Sequence, residues 1–209
     1  MRKERREERD FEHMLVVEGY GDLLFYAEVL QLEQLHDLVY IKQLNGRESL
    51  GQKLDTLITP DLLASKKCIG VIVDADLNPA AVRQSMQHQL SSATGRTVRD
   101  GCWTDGTPAI GLMVVPGGEQ PGEIESLVWQ SWAADPANVS ASQCVKSYIA
   151  CMESAGRKAH SPDKGLISAL LAVRNDDDPR LGPGARSQVF DLERPEFLPL
   201  RVFLRGFKR

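Results

Sequence analysis

The chain predicts an α/β protein: an open, mostly parallel four-stranded sheet flanked by helices, with a helical C-terminal part. Two observations carry this. Short apolar runs recur at 13–18, 39–44, 67–73 and 110–115, and helical patterns separate them. Two of these runs end in acids, Glu18 with Asp22 and Asp74 with Asp76. A buried parallel strand delivers such residues to the sheet's C-terminal edge, where open α/β folds bind ligands.

Each element follows in order. Residues 1–12 alternate basic and acidic side chains and read as a solvated extension, with a phosphate-contacting arm as the minority reading. After strand 13–18, a helix starts near Asp22, with Leu23, Phe25, Tyr26, Val29 and Leu30 as its apolar positions. The second strand, 39–44, turns at Asn45-Gly46 into a helix over about 47–58. Strand three is 67–73. Asn78 then caps a helix that has Pro79 at its first position and runs to about Leu90. Residues 91–108, with a lone Trp103, read as a hairpin or surface loop. Strand four, 110–115, leads into a Pro/Gly loop and a helix from about Glu123. Helices are expected over 141–155 and 163–173, the second with Ser161 as cap and Pro162 at its first position. A long loop spans 175–187, and a short amphipathic helix carries Phe197, Leu200, Phe203, Leu204 and Phe207. The domain reading is therefore an extension at 1–12, a core at 13–132, and a helical part at 133–209 that packs on the core. No internal repeat occurs.

Composition narrows the class. Apolar content of 42% with 26% charged residues is that of an ordinary globular protein. No run approaches the ~18 apolar residues that span a bilayer. Met1 to Asp10 lacks an apolar signal core, so cytoplasmic residence is expected, and the Asn138-Val139-Ser140 sequon is discounted. The four cysteines show no Cys-x-x-Cys spacing and suit reduced, partly buried thiols. A net charge of -4 argues against a protein that coats nucleic acid through bulk basic charge. An enzyme acting on nucleic acid remains open, because metal-binding acids themselves lower the net charge.

The acids suggest a divalent-metal site. Glu18, Asp22, Asp74 and Asp76 brought to one sheet edge repel each other unless a cation sits among them. In extended backbone, residues two apart point the same way, so Asp74 and Asp76 are expected to face one ion. Asp22 also suits a helix cap. Glu123 and Glu125 follow strand four, and either one completes the cluster; both also suit a helix N-terminus. Gly19-Tyr20-Gly21 is a loop able to approach a ligand. It is not a dinucleotide fingerprint, since Leu24 stands where the third glycine belongs and Glu18 would repel the phosphates. The Asp176–Asp178 run reads as solvated loop, and the four histidines have no ligand spacing.

Val16-Val17-Glu18-Gly19-Tyr20-Gly21-Asp22 and Val71-Ile72-Val73-Asp74-Ala75-Asp76 resemble, in order and spacing, the two motifs of the TOPRIM (topoisomerase–primase) superfamily. The chain is most similar to compact bacterial TOPRIM-like proteins and to the nuclease half of the overcoming-lysogenization-defect (OLD) enzymes. Asn45-Gly46, Pro121-Gly122-Glu123-Ile124-Glu125 and Asp163-Lys164-Gly165 match further features of that branch. Asn78 departs from it, standing where some members carry a third aspartate. No zinc or tyrosine domain accompanies the motifs, which argues against topoisomerase and primase activity. No phosphate-binding Gly-x-x-x-x-Gly-Lys-Ser/Thr loop occurs, so an ATPase half is missing.

The resemblance implies a TOPRIM/Rossmann-like fold and Mg²⁺- or Mn²⁺-dependent hydrolysis of DNA or RNA. Glu18, Asp22 and Asp74 would hold one ion, and Asp76 with Glu125 would serve a second or its waters. Glu18 serves as ligand or as general base, and Lys164 supplies positive charge to the transition state. The alternative is a non-catalytic module that binds metal and phosphate or nucleotide and acts with an ATPase partner.

Overall fold

A computed structural model describes residues 6–44, 54, 56–159 and 161–209. Its sheet has five strands: β1 (His13–Val17), β2 (Val39–Gln43), β3 (Cys68–Asp74), β4 (Cys102–Trp103) and β5 (Ala109–Val115). The order across the sheet is β2-β1-β3-β5-β4. The first four of these run parallel, and β4 pairs antiparallel with β5 at the edge. The fold is thus the expected open α/β sheet, with one strand more than the four foreseen.

Burial on both faces explains why β1, β3 and β5 read as continuous apolar runs. β1 and β5 are buried throughout, and β3 up to Asp74. Alternate residues serve opposite faces. Met14, Val16, Ile69, Val71, Val73, Ile110, Leu112 and Val114 pack with Leu54, Ile58 and the helix α3 (Pro79–Thr94) through Met86 and Leu90. Leu15, Val17, Ile72, Met113 and Val115 face the other helices. These are α1 (Tyr20–Leu32), α4 (Ile124–Ala133), α6 (Pro162–Arg174), α7 (Leu181–Arg186) and α8 (Leu198–Arg205). Two elements complete the description: α2 (Pro60–Ser65), which had no counterpart in the sequence reading, and α5 (Val139–Ser154), which packs on α6.

The caps read from the sequence occur as expected. The Asn78 side chain accepts the Ala81 amide at 3.0 Å, and Ser161 accepts that of Lys164 at 3.3 Å. Other expectations need correction. The long loop at 175–187 contains α7, where Gly182 lies so close to Leu24 of α1 that no Cβ fits. The extension is pinned over residues 6–12. Lys66 donates to the carbonyls of Glu8 and Phe11, each at 2.7 Å, and Lys42 pairs with Glu8 at 2.9 Å. This segment leads into the N-terminal end of β1, at the opposite sheet edge from Glu18. Of the cysteines, Cys68 is buried and Cys102, Cys144 and Cys151 are exposed thiols. Asn45-Gly46 and most of the helix expected over 47–58 lie outside the described residues. No described helix is long and apolar enough to cross a membrane.

Trp103 is the reason for the fifth strand. It lies across Gly70 and Gly111, which pair in register on β3 and β5. A Cβ on Gly111 would stand 2.7 Å from the indole, and one on Gly70 would stand 2.8 Å from Phe207. The indole stacks on Phe203 at 5.0 Å, meets Phe207 edge-on at 4.8 Å, and donates to the Phe203 carbonyl at 2.9 Å. The chain's last helix therefore docks on a flat two-glycine floor. Gly111→Val should lower stability by ~2 kcal/mol or more in urea unfolding, because the indole has no room to retreat. Gly21→Ala, with nothing within 4 Å of the added methyl, should be neutral or slightly stabilising.

Candidate functional site

Glu18 follows β1 and Asp74 ends β3, neighbouring strands at the centre of the sheet. The chain runs from β1 to β2 on one side and returns to β3 on the other. Their C-terminal ends therefore flank the topological switch point, where a crevice opens outside the sheet. The two acids are tied across it: the Asp74 amide donates to Glu18 Oε1 at 3.0 Å.

Asp22 arrives on α1. The helix begins at Tyr20 with Gly19 as its cap, so Gly19-Tyr20-Gly21 is a helix start and not the expected ligand loop. Asp22 sits in the first turn instead of at the cap, and its Oδ2 accepts the Gly19 amide at 2.8 Å. Asp74 Oδ1 accepts the Ile124 amide at the start of α4, at 3.0 Å. That helix carries Glu125 in its first turn. Four acids, from the end of β1, from α1, from β3 and from α4, thus come together: the charges of Asp22, Glu18 and Glu125 all act on Asp74.

The electrostatics show the cost of this arrangement. Burial is the largest cause holding the Asp74 carboxyl well above the usual range, followed by Asp22, Glu18 and Glu125, with Lys164 opposing. Glu125 is pushed up to about 7, mainly by burial; Lys164 pulls the other way, and Glu123 and Asp22 add to the rise. Its Oε2 is buried with no hydrogen-bond partner. Beneath the acids, burial and the same four carboxylates raise the Tyr26 phenol well above its ordinary value. Tyr26 lies one helical turn beyond Asp22, a spacing visible in the sequence although nothing there marked it as part of the site.

Lys164 reaches the cluster from α6. It pairs with Glu123 and stands 3.9 Å from Glu125 Oε1. Burial alone would lower its pKa, but Glu125 and Glu123 hold it raised, so the ammonium stays charged. Glu123 also accepts from Ser161, and Ser126 donates to Asp163. Glu123 anchors the start of α6, while Glu125 keeps a bare oxygen among the acids.

Asp76 departs from expectation. Its φ of 50° places it in the left-handed region, so Asp74 and Asp76 do not share the extended backbone that would aim both at one ion. Asp76 instead forms an isolated antiparallel bridge to Gly122, with amide-to-carbonyl bonds of 2.9 and 2.8 Å. Its exposed side chain lines a cleft with Leu77, Gly122 and Asp163. The 116–122 loop is held from the opposite side by Arg83, which donates to Gly118 O and pairs with Asp100 at 3.0 Å and Glu119 at 2.9 Å.

The donor set suits a hard divalent cation: carboxylates whose charges help to raise the Asp74 carboxyl, and one buried Glu125 oxygen without a partner among the described residues. Among the described residues, no three histidine, cysteine or acidic side chains form a group that could hold an ion as they stand. Asp22 and Asp74 each accept a helix-start amide, and Glu18 accepts the amide of Asp74.

No curated protein and no solved structure matches the chain. The profile of one family, described as "Protein of unknown function (DUF3226)", matches residues 12–208. That match takes in the whole sheet and its covering helices, and the chain belongs to the DUF3226 family.

Proposed function

We propose that this protein is a Mg²⁺- or Mn²⁺-dependent, TOPRIM-like phosphodiesterase that hydrolyses DNA or RNA in the cytoplasm. The observation that carries the reading is the gathering of Glu18, Asp22, Asp74 and Glu125 at the switch point of the sheet, with the Lys164 ammonium beside them. Uncompensated, these acids oppose one another in a half-buried site; a divalent cation removes that opposition. Glu18, Asp22, Asp74 and Glu125 would hold the ion, which when bound supplies an activated water and positive charge for a phosphodiester under attack. Asp76, turned toward the neighbouring cleft, would reach the site through water or substrate.

The chain's own residues have definite tasks. The Asp74–Glu18 tie keeps the ends of β1 and β3 in register, so that both carboxylates are aimed before substrate arrives. With no ion bound, burial holds the Glu125 carboxyl up at about 7, and taking up the ion would release its proton and leave the carboxylate as a ligand. Glu123 and Ser161 hold the start of α6, and with it Lys164, against the acids. Lys164 keeps positive charge within reach of a phosphate there.

A second reading is a metal- and phosphate-binding module that works with an ATPase partner. The observation favouring it is that three of the acids already serve backbone amides, a stable arrangement that requires no turnover.

Thermal melts at pH 8 should show Mn²⁺ raising the Tm of the wild type by several degrees and leaving Asp74→Asn unmoved, as selective binding to the folded state requires. Mn²⁺-dependent cutting of labelled oligonucleotides should fall at least ~10²-fold in Asp74→Ala and Glu18→Ala and persist in Asp178→Ala. Metal-dependent stabilisation with no product on the gel would decide for the second reading. Proton linkage gives a further outcome. Glu125 has a folded pKa of about 7 against an ordinary 4.5, so the folded state binds the extra proton and stability falls as pH rises through that window. Glu125→Gln should therefore be more stable than wild type by ~1–3 kcal/mol at pH 8 without metal. The gain should vanish near pH 4.5, which urea titrations at the two pH values would check.

A further inference from the structure

Next to the acids lies a cleft of about 660 Å³, of the size that takes drug-sized or nucleotide-sized ligands. Its walls are largely apolar, with Leu77, Val82, Pro121 and Pro162 among the residues that line it. Asp76 and Asp163 stand among them. Glu123 connects the cleft to the site, since it lines the one and holds Lys164 in the other.

Two features narrow the occupant. The first is Leu77, which is 95% exposed and follows directly on the Asp74–Asp76 segment. A lone exposed leucine is ordinary on a protein surface, but this one stands at the rim of an apolar cleft beside the acids. The second is the sign of the charge. The ionisable groups of the cleft are carboxylates, which repel phosphate and accept hydrogen bonds from amino and imino groups. Asp76 is bridged through its backbone to Gly122, and its exposed side chain lines the cleft. A flat, uncharged ring with N–H donors at its edge satisfies both the walls and the acids.

We infer that the cleft binds a nucleobase, so that the substrate is single-stranded or an unpaired strand end, with the base between Leu77 and Pro162 and its phosphate at the acids. A base inside a duplex is stacked and paired, and enters such a cleft only after being drawn out of the helix. For the placement of the phosphate this inference rests on the phosphodiesterase reading; for the base it rests on the cleft alone.

The test is a titration of the ¹⁵N-labelled full chain with cytidine, which has a base and a sugar but no phosphate. Saturable amide shifts are expected at Leu77, Asn78, Ala81, Gly122 and Ser161. They should be lost in Ala81→Trp, whose side chain fills the cleft, and weakened roughly tenfold in Leu77→Ser, the worth of one buried aliphatic contact. Ala81 and Leu77 are both exposed, so neither change threatens the fold. Absent or scattered shifts, or shifts that survive in Ala81→Trp, overturn the inference. Hydrolysis is scored separately, on an intact strand and on one with its bases removed. A protein that binds cytidine in the cleft and cuts neither strand keeps the base site and loses the phosphodiesterase reading. One that cuts both strands equally, with no cytidine shifts, keeps the enzyme and loses the base site.

Discussion

A single backbone-to-carboxylate hydrogen bond, from the Asp74 amide to Glu18, spans the point where the two central strands part. Strand β1 leads to β2 on one side and β3 to β5 on the other, and this bond reaches across the parting. Each remaining acid is then placed relative to this pair. Asp22 comes from the helix that β1 launches, and Glu125 from the helix whose first amide Asp74 accepts. The site is therefore built from strand ends and helix starts. Backbone amides there face inward and stabilise carboxylates that would otherwise be expelled.

The helical C-terminal part belongs to the same core. Its residues Ile167, Leu171, Leu200, Phe203 and Phe207 pack in one cluster with Leu15, Ile72 and Met113 of the sheet. Polar latches add to this packing. Glu33, at the end of α1, is buried beneath Arg201 and Arg205, with bonds of 2.5 and 2.6 Å. Burial alone would raise its pKa, and the two guanidiniums bring it below the usual carboxylate value. The functional consequence lies in α6, which brings Ser161, Asp163 and Lys164 to the acids. The positive charge of the site thus depends on a segment more than a hundred residues from Glu18.

Much of the sheet was legible because parallel strands are buried on both sides. The apolar runs in β1, β3 and β5 stood out against helical spacing, and the helix caps at Asn78 and Ser161 carry a local chemistry that needs no tertiary context. Strand β4 was not legible. Two residues in register with β5 have no periodicity, and Trp103 acquires its meaning only from Gly70 and Gly111, which the sheet brings beneath it. Helix α7 was hidden by its Gly-Pro-Gly composition, which suits a loop until close approach to Leu24 demands a residue without a side chain. Asp76 was misjudged for a backbone reason: periodicity gives the strand but not where its extended geometry stops, and the bridge to Gly122 turns the chain at that residue.

The amino-acid sequence by itself determined the open α/β architecture, the acids at the ends of its two central strands and the helix that presents Lys164. Hydrophobic period, strand-end position and capping are local properties, read within a few residues. Tertiary structure alone decided that Glu123 ties down α6 while Glu125 is left with a bare oxygen, that Tyr26 lies under the acids, and that Asp76 faces the apolar cleft. Those outcomes turn on distances between residues far apart in the chain and on how deeply each carboxyl is buried, and both are properties of the packed molecule.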